Sequence, residues 1–276
     1  MNEAAIGVFD SGLGGLTAVK ELRYLLPYEN IVYFGDTGRV PYGTRGSETI
    51  KQYAAQDVSF LLSQQVKMII AACGTVSSVA LDLASRLPVP FTGVVKPTSA
   101  AAAAATRNRR IGIIGTSATI RSGSYRRELN LLHPEIQVFE QDCPLFVPLV
   151  ENGFIQRDDC VPREVARRYL SPLRDAGVDT LILGCTHYPI LSEIIGDVMG
   201  EHVVLIDSGK ETALYASQLL RKQNLLCEQE TEGDCSFYVS DSIEGFSQIA
   251  GIFLGQSVKG NVSRIEIQDY PPYLSR

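Results

Sequence analysis

The chain of 276 residues is long enough for one large domain or for two domains of about 130 residues each. Hydrophobic residues make up 45% of the chain and charged residues 20%, a balance that supports a buried core and excludes an intrinsically disordered protein. The formal net charge is −6 and lysine and arginine are scattered, so the sequence has no basic surface of the kind that binds nucleic acid.

Neither a membrane segment nor a secretion signal is predicted. No stretch approaches the roughly 18 apolar residues that a membrane-spanning helix needs, and the N-terminal residues lack the basic region of a signal peptide. Six cysteines are too few for a disulfide scaffold, and the sequence has only three histidines and no Cys-x-x-Cys pair with which to build a structural zinc site. We therefore expect a soluble cytoplasmic protein with reduced thiols and no bound metal.

Short aliphatic segments alternate with helical segments along the chain. The segments predicted as strands are 6–9, 31–34, 68–70, 91–95, 111–114, 137–139, 181–183 and 203–206. Helical periodicity is clear in residues 47–63 and 163–176, and the alanine run 100–105 favours a helix because alanine has the highest helix propensity. Continuous apolar strands alternating with amphipathic helices are typical of parallel sheets covered on both faces. The predicted fold class is therefore α/β.

A weak internal repeat predicts two similar halves. Residues 66–73 can be aligned with residues 178–185, and each segment is a buried strand that ends on a cysteine. Residues 6–9 similarly resemble residues 111–114, and both lead into a turn rich in glycine, serine or threonine. The repeat therefore favours two parallel-sheet α/β domains with the active site in the cleft between them.

The predicted domain division places the break near residues 96–97. The first domain, on the Cys73 side, is predicted to contain residues 1–96 together with 208–268, and the second, on the Cys185 side, residues 97–207. The tail after residue 268 is expected to be poorly anchored.

Polar turns follow four of the predicted strands. They are Asp10-Ser11-Gly12, Cys73-Gly74-Thr75, the turn from Thr116 to Thr119, and Cys185-Thr186-His187. Ligands of open α/β sheets bind at the carboxyl ends of strands, where helix N-termini offer backbone N–H groups. A lone cysteine at such a place is usually a small buried hydrophobic residue. The glycines after Ser11 match neither G-x-G-x-x-G nor a P-loop, so nucleotide binding is weakly supported.

The presence of two such cysteines changes this interpretation. A helix that follows the strand can stabilise a thiolate, and two thiols from similar halves could face each other across a cleft. Such a pair suits a reaction whose substrate and product are mirror images at one stereocentre. One group removes a proton from the stereocentre, and the other delivers a proton to the opposite face. His187 lies two residues after Cys185 and Asp10 ends the first predicted strand, and either could tune a thiol or carry protons.

Several motifs together resemble those of glutamate racemase, in the cofactor-independent aspartate/glutamate racemase superfamily. They are Gly7-Val8-Phe9-Asp10-Ser11-Gly12-Leu13-Gly14-Gly15, Pro41-Tyr42-Gly43, Ala72-Cys73-Gly74-Thr75, Pro148-Leu149-Val150-Glu151-Asn152-Gly153 and Gly184-Cys185-Thr186-His187-Tyr188-Pro189. Their order and spacing are specific, and the resemblance extends to about Leu254. It implies interconversion of L- and D-glutamate without a cofactor, and a supply of D-glutamate for peptidoglycan and thus for cell wall and cell shape. It also implies a homodimer.

The resemblance assigns roles to individual residues. Cys73 and Cys185 would be the two acid/base thiols, with Cys73 acting on the D-glutamate face and Cys185 on the L-glutamate face. Asp10 would assist Cys73 and His187 would assist Cys185, and Glu151 matches a further auxiliary position.

The family's substrate-contacting positions, where hydroxyls and backbone N–H groups would hold carboxylates, can also be located. They fall on Asp10, Ser11, Tyr42, Gly43, Thr75, Thr186 and His187, with Thr119 as a weaker candidate. After the first cysteine the family commonly has Asn, whereas this chain has Gly74, which keeps the backbone N–H but lacks a side-chain amide. The other four cysteines match no catalytic motif and are interpreted as structural: Cys143, Cys160, Cys227 and Cys235.

Three alternatives stay open beside this interpretation. Aspartate racemases are the nearest, but their second motif usually places Glu after Cys-Thr, where this chain has His187. A non-catalytic amino-acid-binding module could use the same fold, yet it would need neither thiol. A single-thiol hydrolase would leave the matching position in the other half free to vary.

Overall fold

The computed structural model describes residues 3–79, 81–258 and 261–273. Its strands are β1 (Ile6–Asp10), β2 (Ile31–Gly35), β3 (Met68–Ala71), β4 (Phe91–Gly93), β5 (Arg110–Gly115), β6 (Gln137–Asp142), β7 (Thr180–Leu183), β8 (Val204–Asp207), β9 (Cys235–Val239) and β10 (Val262–Arg264). Its helices are α1 (Leu16–Leu25), α2 (Ser47–Ser63), α3 (Gly74–Val79), α4 (Val95–Ala105), α5 (Ser117–Ser122), α6 (Ser124–Leu132), α7 (Phe146–Glu151), α8 (Cys160–Asp175), α9 (Ser192–Met199), α10 (Ser208–Lys222) and α11 (Ile243–Leu254).

Two separate parallel sheets organise these elements. The strand order is β10-β9-β2-β1-β3-β4 in the first sheet and β6-β5-β7-β8 in the second. In the first sheet β1 pairs with β2 on one side and β3 on the other, so that Val8 lies between Tyr33 and Ile70. All residues of β1, β3 and β7 are buried, as expected for central parallel strands with helices on both faces. The predicted α/β fold with two parallel-sheet domains is confirmed.

The C-terminal part of the chain returns to the first sheet. β9 pairs with β2, with Cys235 opposite Ile31, and β10 extends the edge beyond β9. Neither strand is among those that the sequence pattern predicts. Residues 110–207 supply every strand of the second sheet. The boundary predicted at residues 96–97 lies within the first turn of α4, which packs against α6 and β7, so the division into domains stays a prediction at the residue level.

The predicted helices are present, with differences at their ends that have local causes. α2 covers the predicted residues 47–63, and the alanine run forms α4. α8 begins three residues before the predicted 163 because the Asp159 side chain accepts a hydrogen bond from the Val161 N–H and caps the helix earlier. The predicted strand 91–95 stops at Gly93 because Val95 already begins α4, where Pro97 is tolerated in the first turn.

The expectation of a poorly anchored tail is wrong for residues 269–273. The Tyr273 N–H donates to the Ala55 carbonyl of α2 at 2.9 Å, and the Tyr270 ring packs edge-on against Phe60. Residues 274–276 lie outside the described part of the chain. Among the helices that the structure describes, none has the length and apolar character needed to cross a membrane.

Candidate active site

A cavity of about 380 Å³ lies at the turns that follow β1, β3, β5 and β7. This volume is within the usual range for a small-molecule site. The predicted site residues on its wall are Ser11, Tyr42, Gly43, Cys73, Gly74, Thr75, Glu151, Cys185, Thr186 and His187. The first and second sheets therefore both contribute to one cavity, and the two cysteines line it together.

Asp10 and Thr119, also predicted, lie behind the wall rather than on it. Asp10 ends β1, is fully buried and accepts a hydrogen bond from the Gly12 N–H at 3.0 Å. Thr119 is buried in α5, and its Oγ1 lies 3.1 Å from Thr116 Oγ1, which is on the wall. Both residues can therefore act on a ligand through a neighbour.

Cys73 is a buried thiol two residues after β3. Its Sγ lies 3.5 Å from Ser11 Oγ. Burial, and next the negative charge of Asp10, raise the pKa of Cys73 to about 12. Burial and the charge of Asp10 therefore outweigh the stabilisation that the following helix, α3, was expected to give a thiolate. Cys73 holds its proton at neutral pH and can deliver it.

Asp10 is the titratable group beside Cys73. Burial raises the pKa of Asp10, and the positive charge of His187 partly offsets this effect. One carboxylate oxygen, Oδ1, has no hydrogen-bond partner among the described residues. A buried carboxylate with a free oxygen next to a thiol is suited to accept that thiol's proton.

Cys185 has a different partner, His187. The His187 ring places Nδ1 3.9 Å from Cys185 Sγ and Nε2 3.0 Å from Glu151 Oε1. Burial lowers the pKa of His187, but hydrogen bonds with Cys185 and Glu151 outweigh it and raise the pKa to about 10. The ring is therefore an imidazolium at neutral pH, and an imidazolium stabilises negative charge on a neighbouring sulfur.

Turns that follow strands of the two sheets approach each other closely at glycines. A Cβ on Gly14 would collide with Thr186 Oγ1 and lie 2.6 Å from His187 Nδ1. A Cβ on Gly74 would collide with the Gly184 carbonyl oxygen. Since Gly184 directly precedes Cys185, the missing side chain at position 74 lets the two cysteine-bearing turns approach each other.

Small hydroxyl side chains make up much of the polar wall. Thr75 Oγ1 lies 3.1 Å from Thr116 Oγ1, which joins the first sheet's turn to the second sheet's turn. Thr116 and Ser117 line the cavity but were not selected as site residues from the sequence. The internal repeat offered the signal, because it aligns the turn after β5 with the turn that carries Ser11.

The Tyr42 hydroxyl is engaged away from the cavity. It donates a hydrogen bond to Asp36 Oδ2 and lies 3.3 Å from Asp57 Oδ2. The Tyr42 hydroxyl is therefore not free to bind a ligand, although Tyr42 and Gly43 both line the cavity. A Cβ on Gly43 would lie 3.0 Å from Thr116 Cβ.

The donors on the cavity wall can bind an anion without the help of a lysine or arginine side chain. Among the described residues that line the cavity there is neither, so hydroxyls, backbone N–H groups and the His187 imidazolium are the available donors. No group of three or more His, Cys, Asp or Glu side chains that could hold a metal occurs within residues 3–79, 81–258 and 261–273. The arrangement is that of a small cavity that carries hydroxyl groups, a thiol that holds its proton and a thiol paired with histidine on its wall.

Comparison with known proteins adds a consistent finding. The Asp/Glu/Hydantoin racemase family model matches residues 19–216. The glutamate racemase of Geobacter metallireducens is 46% identical over 265 residues, which cover 96% of this chain and 97% of that protein. The crystal structure of glutamate racemase from Francisella tularensis in complex with D-glutamate is 36% identical, with a TM-score of 0.90, over 98% of this chain and 100% of that one. Glutamate racemase from Thermus thermophilus, in complex with beta-chloro-D-alanine, is 44% identical with a TM-score of 0.87, over 97% and 99% of the two chains.

Proposed function

The chain belongs to the glutamate racemases, isomerases of the Asp/Glu/Hydantoin racemase family, and we propose that it interconverts L- and D-glutamate by proton transfer between two thiols, without a cofactor. The observation that carries this proposal is that Cys73 and Cys185 line the same cavity, each with its own titratable partner. A racemase needs one group that removes a proton from one face of the substrate α-carbon and another that delivers a proton to the opposite face, and two thiols can fill these roles.

In the L-to-D direction Cys185 removes the α-proton. Cys185 acts as the thiolate, which the His187 imidazolium, held by Glu151, stabilises, and the sulfur becomes a neutral thiol when it takes the proton. Cys73, whose burial keeps its proton on at neutral pH, delivers that proton to the opposite face of the carbanion. Asp10 serves the reverse direction, in which Cys73 is the base and needs a nearby proton acceptor.

Substrate carboxylates are held by hydroxyls and backbone N–H groups on the wall. Ser11, Thr75, Thr116 and Thr186 supply the hydroxyls, and Gly74 supplies a backbone N–H in place of the amide that the family commonly has. Donors aimed at the α-carboxylate also stabilise the charge that builds up when the α-proton leaves. The chemistry of the wall therefore serves both binding and the carbanion.

The wider role rests on the family resemblance. We propose that the product D-glutamate is used for peptidoglycan, and thus for cell wall biogenesis and cell shape, and that the enzyme acts as a cytoplasmic homodimer. No nucleic acid or membrane partner is part of this proposal, in line with the net charge of −6.

Proton exchange tests the proposed reaction. Enzyme dialysed against a chelator should convert either enantiomer of glutamate to the racemate in deuterated water, with deuterium at the α-carbon of the product. Neither metal nor pyridoxal phosphate should raise the rate. Aspartate is the comparison substrate and should have the lower kcat/KM, because His187 stands where aspartate racemases usually have Glu. Activity that is lost on dialysis and restored by pyridoxal phosphate would contradict the proposal.

The close contact at Gly74 makes a second test. Gly74→Ala should lower kcat/KM for glutamate by about tenfold or more, because overpacking a close contact costs about 1–3 kcal/mol and the displaced Gly184 carbonyl is next to Cys185. Gly46→Ala is the matched control, since a Cβ at that position has no heavy atom within 4 Å and should leave kcat/KM unchanged. A Gly74→Ala enzyme with the wild-type kcat/KM would show that the two turns tolerate separation.

A further inference from the structure

A buried charge cluster lies behind the cavity wall and takes no part in the proposed proton transfer. Asp36 follows β2 and Asp57 lies in α2, and neither side chain is exposed to solvent. Arg39 joins them, with Nε 2.6 Å from Asp36 Oδ2 and Nη2 3.0 Å from Asp57 Oδ1. Buried charges are costly unless they are paired, so a cluster of this kind needs a structural or functional reason.

The cluster is connected to the cavity through Tyr42. The Tyr42 hydroxyl contacts both Asp36 and Asp57, while Tyr42 and Gly43 form part of the cavity wall. These two residues belong to a short helical turn in the segment between β2 and α2. The position of the wall at this place therefore depends on the two carboxylates.

Further contacts fix Arg39 and hence the cluster. Arg39 Nη1 lies 2.6 Å from Gln56 Oε1, and the guanidinium lies over the Tyr53 ring, 4.1 Å from its centroid. The Tyr53 ring in turn packs against Tyr42, with centroids 5.3 Å apart. Helix α2 thus holds the segment through both charge and aromatic contacts.

The protons in the cluster can be counted. Tyr42 has one hydroxyl proton, which it donates to Asp36, so it cannot donate fully to Asp57 Oδ2 at 3.3 Å as well. Burial, and next the charge of Asp36, raise the pKa of Asp57 well above its usual range, although Arg39 lowers it in part. A proton on Asp57 would leave one carboxylate for the one guanidinium and would balance the charge in the buried space.

We propose that Arg39 and Asp57 are positioning residues, which hold the Tyr42 and Gly43 backbone at the place where a substrate carboxylate binds. This inference rests on the proposed function, since it concerns the binding of glutamate. A displaced wall weakens binding of the substrate and of the transition state alike, so KM rises while kcat changes little. Loss of folded enzyme has the opposite signature, because a smaller active fraction lowers the apparent kcat and leaves KM unchanged.

Two substitutions at position 57 test the inference. Asp57→Leu removes the hydrogen bonds to Arg39 and Tyr42, and we expect KM for both enantiomers to rise about tenfold, the effect of about one lost hydrogen bond. Asp57→Asn is neutral and keeps the shape and a donor, so its KM should stay close to that of the wild type. Glu48→Gln makes the same carboxylate-to-amide change at an exposed position of α2 and is the matched control. Arg39→Gln, in the segment itself, should raise KM in the same way and replaces Asp57→Leu if that variant does not fold.

Amide hydrogen exchange gives a readout that does not need activity. Peptides covering residues 36–44 should exchange faster in Asp57→Leu than in wild type, and at the wild-type rate in Asp57→Asn. An unchanged KM with a lower kcat, or unchanged exchange in both Asp57→Leu and Arg39→Gln, would overturn the inference. If the wild-type enzyme did not racemise glutamate, the proposed function would fail, whereas the exchange rates would still decide whether the cluster holds the segment.

Discussion

Replacing either Cys73 or Cys185 by alanine is expected to abolish net racemisation, with kcat lower by about 10³-fold or more in both directions. Racemisation needs proton removal on one face and delivery on the other, and a methyl group can do neither. The measurement is the rate at which the optical rotation of a solution of each glutamate enantiomer changes. Both variants should stay folded, because cysteine to alanine at these positions removes only one sulfur atom from the cavity wall.

Half-reactions separate the two thiols. With Cys185 intact, Cys73→Ala should still eliminate HCl from the β-chloro analogue of L-glutamate, which requires only removal of the α-proton. Cys185→Ala should instead process the D-enantiomer through Cys73. Cys160→Ala is the control, since Cys160 is exposed at the start of α8 and away from the cavity, and it should keep wild-type activity. Racemisation at the wild-type rate by either active-site variant would show that its thiol is not a base.

The positions of both cysteines were predictable because they follow from local sequence. β3 and residues 181–183 of β7 are continuous apolar runs, each followed two residues later by a cysteine, and strands of this kind are central in parallel sheets. The carboxyl ends of such strands form the ligand-binding edge of an α/β sheet. The resemblance to a known family then supplied the roles of Asp10, Glu151 and His187, which spacing alone does not give.

Features that depend on contacts between distant residues were not predictable. β9 alternates buried and half-buried residues, and only its pairing with β2 makes it part of the first sheet. The partners of the Tyr42 hydroxyl could not be foreseen either, because Asp57 is fifteen residues away on the buried face of a helix. The raised pKa of Cys73 has the same origin, since it follows from burial and from Asp10 on a neighbouring strand.

Replacing Glu151 by glutamine should make the enzyme more sensitive to alkaline pH. Glu151 raises the pKa of His187, which is about 10 in the native enzyme against an ordinary value of 6.5. Without the carboxylate the pKa falls, and His187 loses its charge at lower pH. Glu151 is partly exposed, so solvent weakens its effect, and we expect the alkaline limb of kcat/KM to shift down by about one pH unit.

The free energy of unfolding should also fall as the pH rises. The pKa of His187 is raised on folding, so its interactions stabilise the native state fully below about pH 6.5 and this contribution is lost as the pH rises through about 10. In Glu151→Gln the loss should begin at lower pH, which a series of thermal unfolding midpoints would detect.

The ratio of variant to wild-type kcat/KM is the decisive quantity. Glutamate's own amino group titrates in this range, but it affects both enzymes equally and cancels in the ratio. Given a shift of about one pH unit from about 10, we expect the ratio for Glu151→Gln to fall mainly between about pH 8 and about pH 11, and the ratio for the exposed control Glu201→Gln to stay flat. A flat ratio for Glu151→Gln would mean that the charge on His187 does not depend on Glu151. The imidazolium would then be maintained by Cys185 alone, and Glu151 would have no part in proton transfer.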